Sequence, residues 1–172
     1  PTFMNPFERL LNLAGLPWAP PRFLSGGDMG EGCQLGAYVV KTHPAPPTGL
    51  FPAEGRGLKL LAKHGVPTPD VYFADETGIV MDWLPSGPDD ADGLAQAINQ
   101  LHRSTGPEYG LKTPTFIGRF ELGISGHSTD WPTFWQAHRI NPLLRATWPI
   151  IGPLGPRIEN LLRSFAAPTE GP

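Results

Sequence analysis

The chain has 172 residues, 40% of them hydrophobic, and a formal net charge of -3, which suits one soluble domain or slightly more with a sizeable buried core. The mildly acidic balance leaves no basic footprint for nucleic acid, and no apolar run of about 18 residues offers a membrane span. A single cysteine, Cys33, cannot form an internal disulfide, so a reducing cytoplasm is the expected compartment.

No signal-peptide pattern opens the sequence. Proline and glycine, 22 and 21 residues, approach the level that suggests disorder, but apolar periodicity between them argues for short elements joined by stiff turns. Asn5-Pro6-Phe7-Glu8 reads as a helix start, with Asn5 as cap, Pro6 in the first turn and Glu8 placed to reach back. Phe7, Leu10, Leu11 and Ala14 form its apolar face, and Gly15 stops it. After a rigid connector, Pro17 to Pro21, three strands are expected at Arg22–Ser25, Cys33–Leu35 and Tyr38–Thr42, with Gly36-Ala37 as a tight turn.

Between the first two strands lies Ser25-Gly26-Gly27-Asp28-Met29-Gly30-Glu31-Gly32, whose glycines would let backbone N–H groups approach an anion. The third strand ends on Lys41. A helix from Phe51 to Leu61 follows a loop with three prolines, and positions 51, 54, 58 and 61 share a face. Three of these are Phe51, Leu58 and Leu61, and the fourth is Glu54. A lone buried carboxylate there would cost several kcal/mol. Lys41 is the nearest cation that a strand could bring beneath it, although Glu54 could instead sit at the stripe's edge and reach water.

Gly65-Val66-Pro67-Thr68-Pro69 forces an extended path into a fourth strand, Val71–Phe73, and Asp75 to Gly78 turns the chain into a fifth, Ile79–Leu84. The expected result is a five-stranded sheet with one helix on it. Pro85 to Asp92 is a proline-rich acidic linker. Leu94, Ala97, Ile98 and Leu101 are spaced as a buried helical stripe with Asp92 as cap, and Tyr109 to Ser128 is a long glycine-rich excursion without clear periodicity. Asp130 caps a helix through Trp131, Phe134, Trp135 and His138, interrupted by Pro142 and ending near Trp148. Pro156 begins a last helix with Ile158, Leu161, Leu162 and Phe165 inside.

A glycine-rich loop, a strand lysine and a helix glutamate, in that order, form the first half of a kinase ATP site. Gly26-Gly27-Asp28-Met29, Tyr38-Val39-Val40-Lys41-Thr42, Phe51-Pro52-Ala53-Glu54-Gly55-Arg56-Gly57-Leu58 and Asp130-Trp131-Pro132-Thr133-Phe134-Trp135 with Arg139 together resemble the fructosamine kinase family, over roughly the whole chain and in family order. The resemblance implies an α+β, protein-kinase-like fold: a five-stranded antiparallel sheet and packed helix in an ATP-binding lobe at 1–84, a hinge and linker at 85–93, and the first helices of a helical lobe at 94–172. It implies an ATP- and Mg²⁺-dependent transfer of the γ-phosphate to a sugar hydroxyl of a ketosamine, free or on a glycated protein, as in deglycation.

By that resemblance Lys41 holds the α and β phosphates, Glu54 holds Lys41, Gly26, Gly27, Asp28 and Met29 cover the phosphates, and Met81, Asp82 and Trp83 form the hinge at the adenine edge. Trp131, Trp135 and Arg139 would wall the sugar pocket, although aromatic residues at helical spacing are more often core. Family members continue into a His-Gly-Asp-Leu-Trp loop carrying the catalytic base and then into an asparagine and an aspartate that bind metal. No His-Gly-Asp occurs in this sequence, so the metal ligands are expected outside it and the chain alone is expected to be inactive, its complement being the C-terminal part of the same kinase. Two alternatives are a noncatalytic kinase-like module that binds nucleotide or a partner, and another small-molecule kinase of the aminoglycoside or choline class, against which the Asp130 to Arg139 pattern argues.

The remaining candidates have plainer readings. His102-Arg103-Ser104 lacks the aspartate of a His-Arg-Asp catalytic loop, and His102 suits a helix C-terminus. His43, His64 and His138 show no metal-ligand spacing. Cys33 reads as a small buried hydrophobe, or, beside Gly32 near the phosphate loop, as a thiol that could link two chains if oxidised.

Overall fold

The fold follows from which residues can bury both sides of one sheet. The computed structural model describes residues 5–24, 30–123 and 128–163. Five strands, β1 (Pro21–Leu24), β2 (Glu31–Leu35), β3 (Tyr38–Thr42), β4 (Val71–Asp75) and β5 (Gly78–Asp82), form an antiparallel sheet in the order β1-β2-β3-β5-β4. Helix α1 (Pro6–Leu13) precedes the sheet, and α2 (Leu50–Lys63) connects β3 to β4. Strand register places Cys33, Val40, Val80 and Phe73 in one transverse row and Lys41, Ile79 and Ala74 in the next.

Successive residues of a strand face opposite sides, and here both sides are covered. Phe7, Leu10 and Leu11 of α1 pack with Cys33, Leu35, Val40 and Val80. Leu50 and Phe51 of α2 pack with Val39, Ile79 and Met81 on the other side. The sheet therefore carries two helices, one per face, where one was expected. The run Ile79-Val80-Met81 is buried without a break for this reason, since a strand covered on both faces loses its polar alternation.

Local signals set the helix ends. The Asn5 side chain accepts the Phe7 N–H at 2.9 Å, and Pro6 opens α1, a cap worth about 1 kcal/mol. From the middle of α1, Arg9 reaches the β4–β5 hairpin, 3.1 Å from Asp75 and 2.8 Å from the Thr77 hydroxyl. The Asp75 carboxylate also accepts the Thr77 N–H and O–H. Burial alone would push the Asp75 carboxyl up, but the Thr77 bonds and the Arg9 charge outweigh it and hold the group below its usual range.

Helix α3 (Ala91–His102) follows the linker. Its cap is Asp90, which accepts the Gly93 N–H at 2.8 Å, and not Asp92, which lies in the first turn. The stripe expected to be buried is instead open: Leu94 is 63% and Ile98 44% exposed. Spacing reports which residues share a face and not what covers it. The docking that α3 does make is polar, the Gln100 amide donating to the His64 carbonyl at the end of α2 beside Gly65.

The excursion after α3 contains a two-stranded ribbon, β6 (Thr115–Ile117) and β7 (Phe120–Leu122), turning at Gly118 with φ +58°. Phe116 packs against the α2 side of the sheet and Arg119 donates to the Ala45 carbonyl. Further on, α4 (Trp131–Trp135) is capped by Asp130, which accepts the Thr133 N–H at 2.9 Å. It passes through a π-turn, 136–140, into α5 (Asn141–Ile151). Pro142 explains the turn: it has no N–H to donate to residue 138, and the ladder shifts so that Asn141 bonds Gln136. A short 3₁₀ segment leads to α6 (Gly155–Arg163). There Leu161, expected inside, is 70% exposed, and Phe165 lies outside the described residues.

The chain gathers into two units, one of residues 1–104 with 116–120, the other of 105–115 with 121–172.

Candidate functional site

Lys41 owes its direction to strand parity. It pairs with Ile79 on β5 and Gly32 on β2, and shares a face with Val39, the face that α2 covers. Helix α2 begins at Gly49, whose φ of +81° is open to glycine and whose N–H donates to Glu76 Oε2 at 2.6 Å. That bond ties the helix start to the tip of the β4–β5 hairpin. One turn on, Gly55 faces the sheet: a Cβ there would lie 3.3 Å from Ala74 and 3.5 Å from Val71. The missing side chain lets α2 settle close to the strands.

Glu54, next to Gly55, stands on the flank of the helix and meets Lys41, Nζ to Oε1 2.6 Å. The Lys41 side chain is 45% and that of Glu54 30% exposed. Glu54 is thus at the edge of the apolar stripe and still paired, which avoids the penalty of a buried carboxylate. At this exposure the pair contributes at most about 1 kcal/mol to stability. Its chemical meaning is orientation: a lysine ammonium has three protons, and with one held by Glu54 the others remain for a ligand reaching the exposed side of the Lys41 side chain. An anion with several oxygens suits that donor set.

The loop before β2 enters this region at Gly30, where φ is +126° and an added Cβ would collide with the Thr42 carbonyl. Only glycine fits there. Gly26, Gly27, Asp28 and Met29, expected to cover phosphates, lie outside the described residues.

At the end of β5, Met81 is buried in the α2-side core and Trp83 packs on it. Asp82 points to the other face by parity, away from Lys41. Its Oδ1 accepts the Tyr72 hydroxyl at 2.8 Å and its Oδ2 the Asp70 N–H at 2.9 Å. The backbone N–H groups of Asp82 and Trp83 are engaged too, donating to Asp70 and Ala37 carbonyls. A ligand beside the end of β5 would therefore meet Trp83 and the backbone that leaves it, with Met81 buried beneath.

The second unit brings Trp131, Trp135 and Arg139 together. The two indoles stack at 5.1 Å, and Phe134 sits under Arg139, 4.9 Å from guanidinium carbon to ring centre. Tyr109 and His138 complete the cluster, at 5.1 Å from Trp131 and 5.6 Å from Phe134. Phe134 is 4% exposed, whereas both tryptophans are partly open. Phe134 is therefore the core of the cluster and the indoles are its rim. Arg139 donates to the His138 carbonyl, and partial burial lowers its pKa. The π-turn sets the angular position of His138 and Arg139 on this helix.

Some members could not be read from the sequence. Tyr72 and Asp70, which hold Asp82, carry no local signal. Tyr109 joins the aromatic cluster through a bridge to Ser128, a pairing across an expected loop. Cys33 is fully buried in the α1-side core, where burial pushes its thiol pKa up. It packs as a small hydrophobe and cannot link two chains in the folded state. Among the described residues no three His, Cys, Asp or Glu side chains gather as a metal site, and no helix is long and apolar enough to cross a membrane.

A sequence profile described as fructosamine kinase matches residues 21–150. The "probable ketoamine kinase" of Thermus thermophilus is 42% identical over 171 residues, covering 98% of this chain and 63% of that protein. A protein of the same description in Enterococcus faecium is 32% identical over 123 residues, 67% of this chain and 44% of that one. Among solved structures, a candidate fructosamine-3-kinase from Thermobifida fusca superposes with a TM-score of 0.69 at 27% identity, over 80% of this chain and 51% of that one. The chain thus spans between 44% and 63% of the length of these relatives, and shares their kinase-like fold.

Proposed function

The chain belongs to the fructosamine kinase family, and from that membership we propose that it provides the nucleotide-gripping portion of an ATP-dependent kinase that phosphorylates a sugar hydroxyl of a ketosamine. The observation that carries this reading is the partly exposed 2.6 Å pair between Lys41 and Glu54. Lys41 holds the α and β phosphates, and Glu54 keeps its ammonium aimed at them. The backbone of Gly26, Gly27, Asp28 and Met29 covers the phosphates, and the strand end at Met81, Asp82 and Trp83 borders the adenine. Trp131 and Trp135 offer aromatic faces to a sugar adduct, with Arg139 to orient its polar end. The substrate is a free ketosamine or one on a glycated protein, and the working compartment is the cytoplasm.

The donor set fits a nucleotide: one ammonium, a fixed carboxylate behind it and glycines where backbone must approach. ATP supplies the transferable phosphoryl group when bound. Mg²⁺ is a different case. The described residues do not assemble a set of carboxylates for it, and we assign it no ligand in this chain.

A second reading, a kinase-like module that binds nucleotide without turning it over, rests on the same Lys41–Glu54 pair, which would hold phosphate in either case. One experiment separates the two: calorimetric titration with ATP, with and without Mg²⁺, beside an assay for phosphate transfer to a synthetic fructosyl-lysine. Binding together with transfer supports the kinase, and binding alone supports the module. No ATP binding under either condition refutes both.

A further inference from the structure

The end of β5 is held by a device that no family signature announces. Tyr72 sits on the edge strand β4 with its hydroxyl 2.8 Å from Asp82 Oδ1. The ring of Tyr38, opposite Asp82 in the register, packs edge-on against it with centres 5.3 Å apart. The same carboxylate accepts the Asp70 N–H through its other oxygen, and the Asp82 N–H returns to the Asp70 carbonyl. One residue later the Trp83 N–H closes on Ala37, in the turn between β2 and β3. Two consecutive residues are thus tied to opposite neighbours just where the chain leaves the sheet.

We infer that Tyr72 is a positioning residue: through Asp82 it fixes where β5 releases the chain and so sets the adenine end of the nucleotide site, although it faces away from that site. The inference rests on the nucleotide reading above for its ligand, but not for the brace itself. Its logic is parity. Asp82 lies on the α1 side of the sheet, while Met81 and Trp83 present their side chains on the Lys41 side. A rotation of the strand end that released Asp82 would carry Trp83 with it. The phenol bound to the carboxylate loses its proton less readily than a free tyrosine.

Tyr72→Phe removes only the hydroxyl. Two measurements decide the matter. First, hydrogen exchange at the Asp82 and Trp83 amides is expected to quicken about three- to tenfold in the variant, the loss of one solvent-exposed hydrogen bond of ordinary strength, while Ile79 to Met81 stay protected. Unchanged exchange at Asp82 and Trp83 overturns the brace, whatever the nucleotide does. Second, calorimetry is expected to show ATP and adenosine binding weakened by about the same factor while inorganic tripolyphosphate, which depends on Lys41, binds as before. Equal ATP affinity in the variant and the parent overturns the positioning role, and equal weakening of all three ligands overturns it in favour of a general loss of structure. Failure of the nucleotide reading has a different signature, since the parent chain would then bind neither ATP nor tripolyphosphate.

Discussion

Lys41 and Glu54, thirteen residues apart in sequence, meet at 2.6 Å because β3 and α2 each present one charged residue at the same edge of an apolar interface. The strand supplies direction and the helix supplies reach. Both groups remain partly exposed, so their pairing orients more than it stabilises. Lys41→Ala and Glu54→Gln should each leave the melting curve almost unchanged, and a double-mutant cycle should give a coupling of at most about 1 kcal/mol. Nucleotide titration of the same variants should show the larger loss for Lys41→Ala. A coupling of several kcal/mol, or unfolding of Lys41→Ala, would mean that the pair is structural.

Gly55 controls how close α2 lies to the strands. Replacing it with leucine puts a branched side chain where Ala74, Val71 and Ile79 already stand within 3.3 to 3.6 Å of a Cβ. Overpacking of this kind costs about 1–3 kcal/mol, and the helix must lift. Gly55→Leu should therefore reduce both stability and nucleotide affinity, whereas Gly57→Ala, with nothing within 4 Å of the new methyl, should leave affinity intact. Identical behaviour of the two variants would refute the role assigned to Gly55.

The Asp75 carboxyl is held below its usual range by the Thr77 bonds and the Arg9 charge, against the opposing effect of burial. A carboxyl with a lower pKa in the folded state binds fewer protons there than in the unfolded chain. Its stabilisation is complete above the unfolded value of about 3.9 and disappears as pH falls through the lower folded value. Urea midpoints measured from about pH 6 downwards should fall more steeply for the parent than for Asp75→Asn, which has already lost this contribution at every pH. Parallel curves would show that Asp75 is not part of the acid transition.

Phe134 should carry the aromatic cluster. Its removal as Phe134→Ala takes out a nearly fully buried ring, a change of about 3–5 kcal/mol, and should quench the stacked-indole signal in near-ultraviolet circular dichroism. Trp135→Ala, at the rim, should cost less. If the rim indole proves the more costly of the two, the core lies elsewhere.

Cys33 offers a clock for opening of the sheet. With no exposure and a thiol pKa pushed up by burial, it should resist a thiol-specific disulfide reagent in native buffer and react at once in denaturant. Fast native labelling would show that β2 leaves the sheet under native conditions.

The sequence was most legible where local chemistry and final packing agree. Asn5-Pro6 announces α1, β-branched residues followed by Lys41 announce β3, and the helical period locates α2. Lys41 and Glu54 were readable because a carboxylate on the apolar stripe of α2 calls for a cation, and a strand could bring Lys41 beneath it. The second helix on the sheet was missed, although the unbroken Ile79-Val80-Met81 suits a strand covered on both faces. Asp90 and Asp92 are chemically equal as caps, and geometry chose the one whose oxygen reaches Gly93. The ribbon at 115–122 alternates too briefly for its period to stand out, with Gly118 as its only marker. The Tyr72 to Asp82 bond has no sequence signal, because it depends on how two strands pair.

Because α1 and α2 divide the sheet between them, Val40 and Lys41 belong to different halves of the molecule. The site is therefore sensitive to odd and even changes in chain length. A single residue inserted between Val40 and Lys41 would turn the lysine toward α1, bury a charge among Phe7, Leu10 and Leu11, and leave Glu54 facing nothing. Two inserted residues would restore the side but shift the lysine along the strand. Deletions and insertions in β3 should accordingly be tolerated, if at all, only in pairs, a rule of arithmetic imposed on the gene by a strand with a helix over each of its faces.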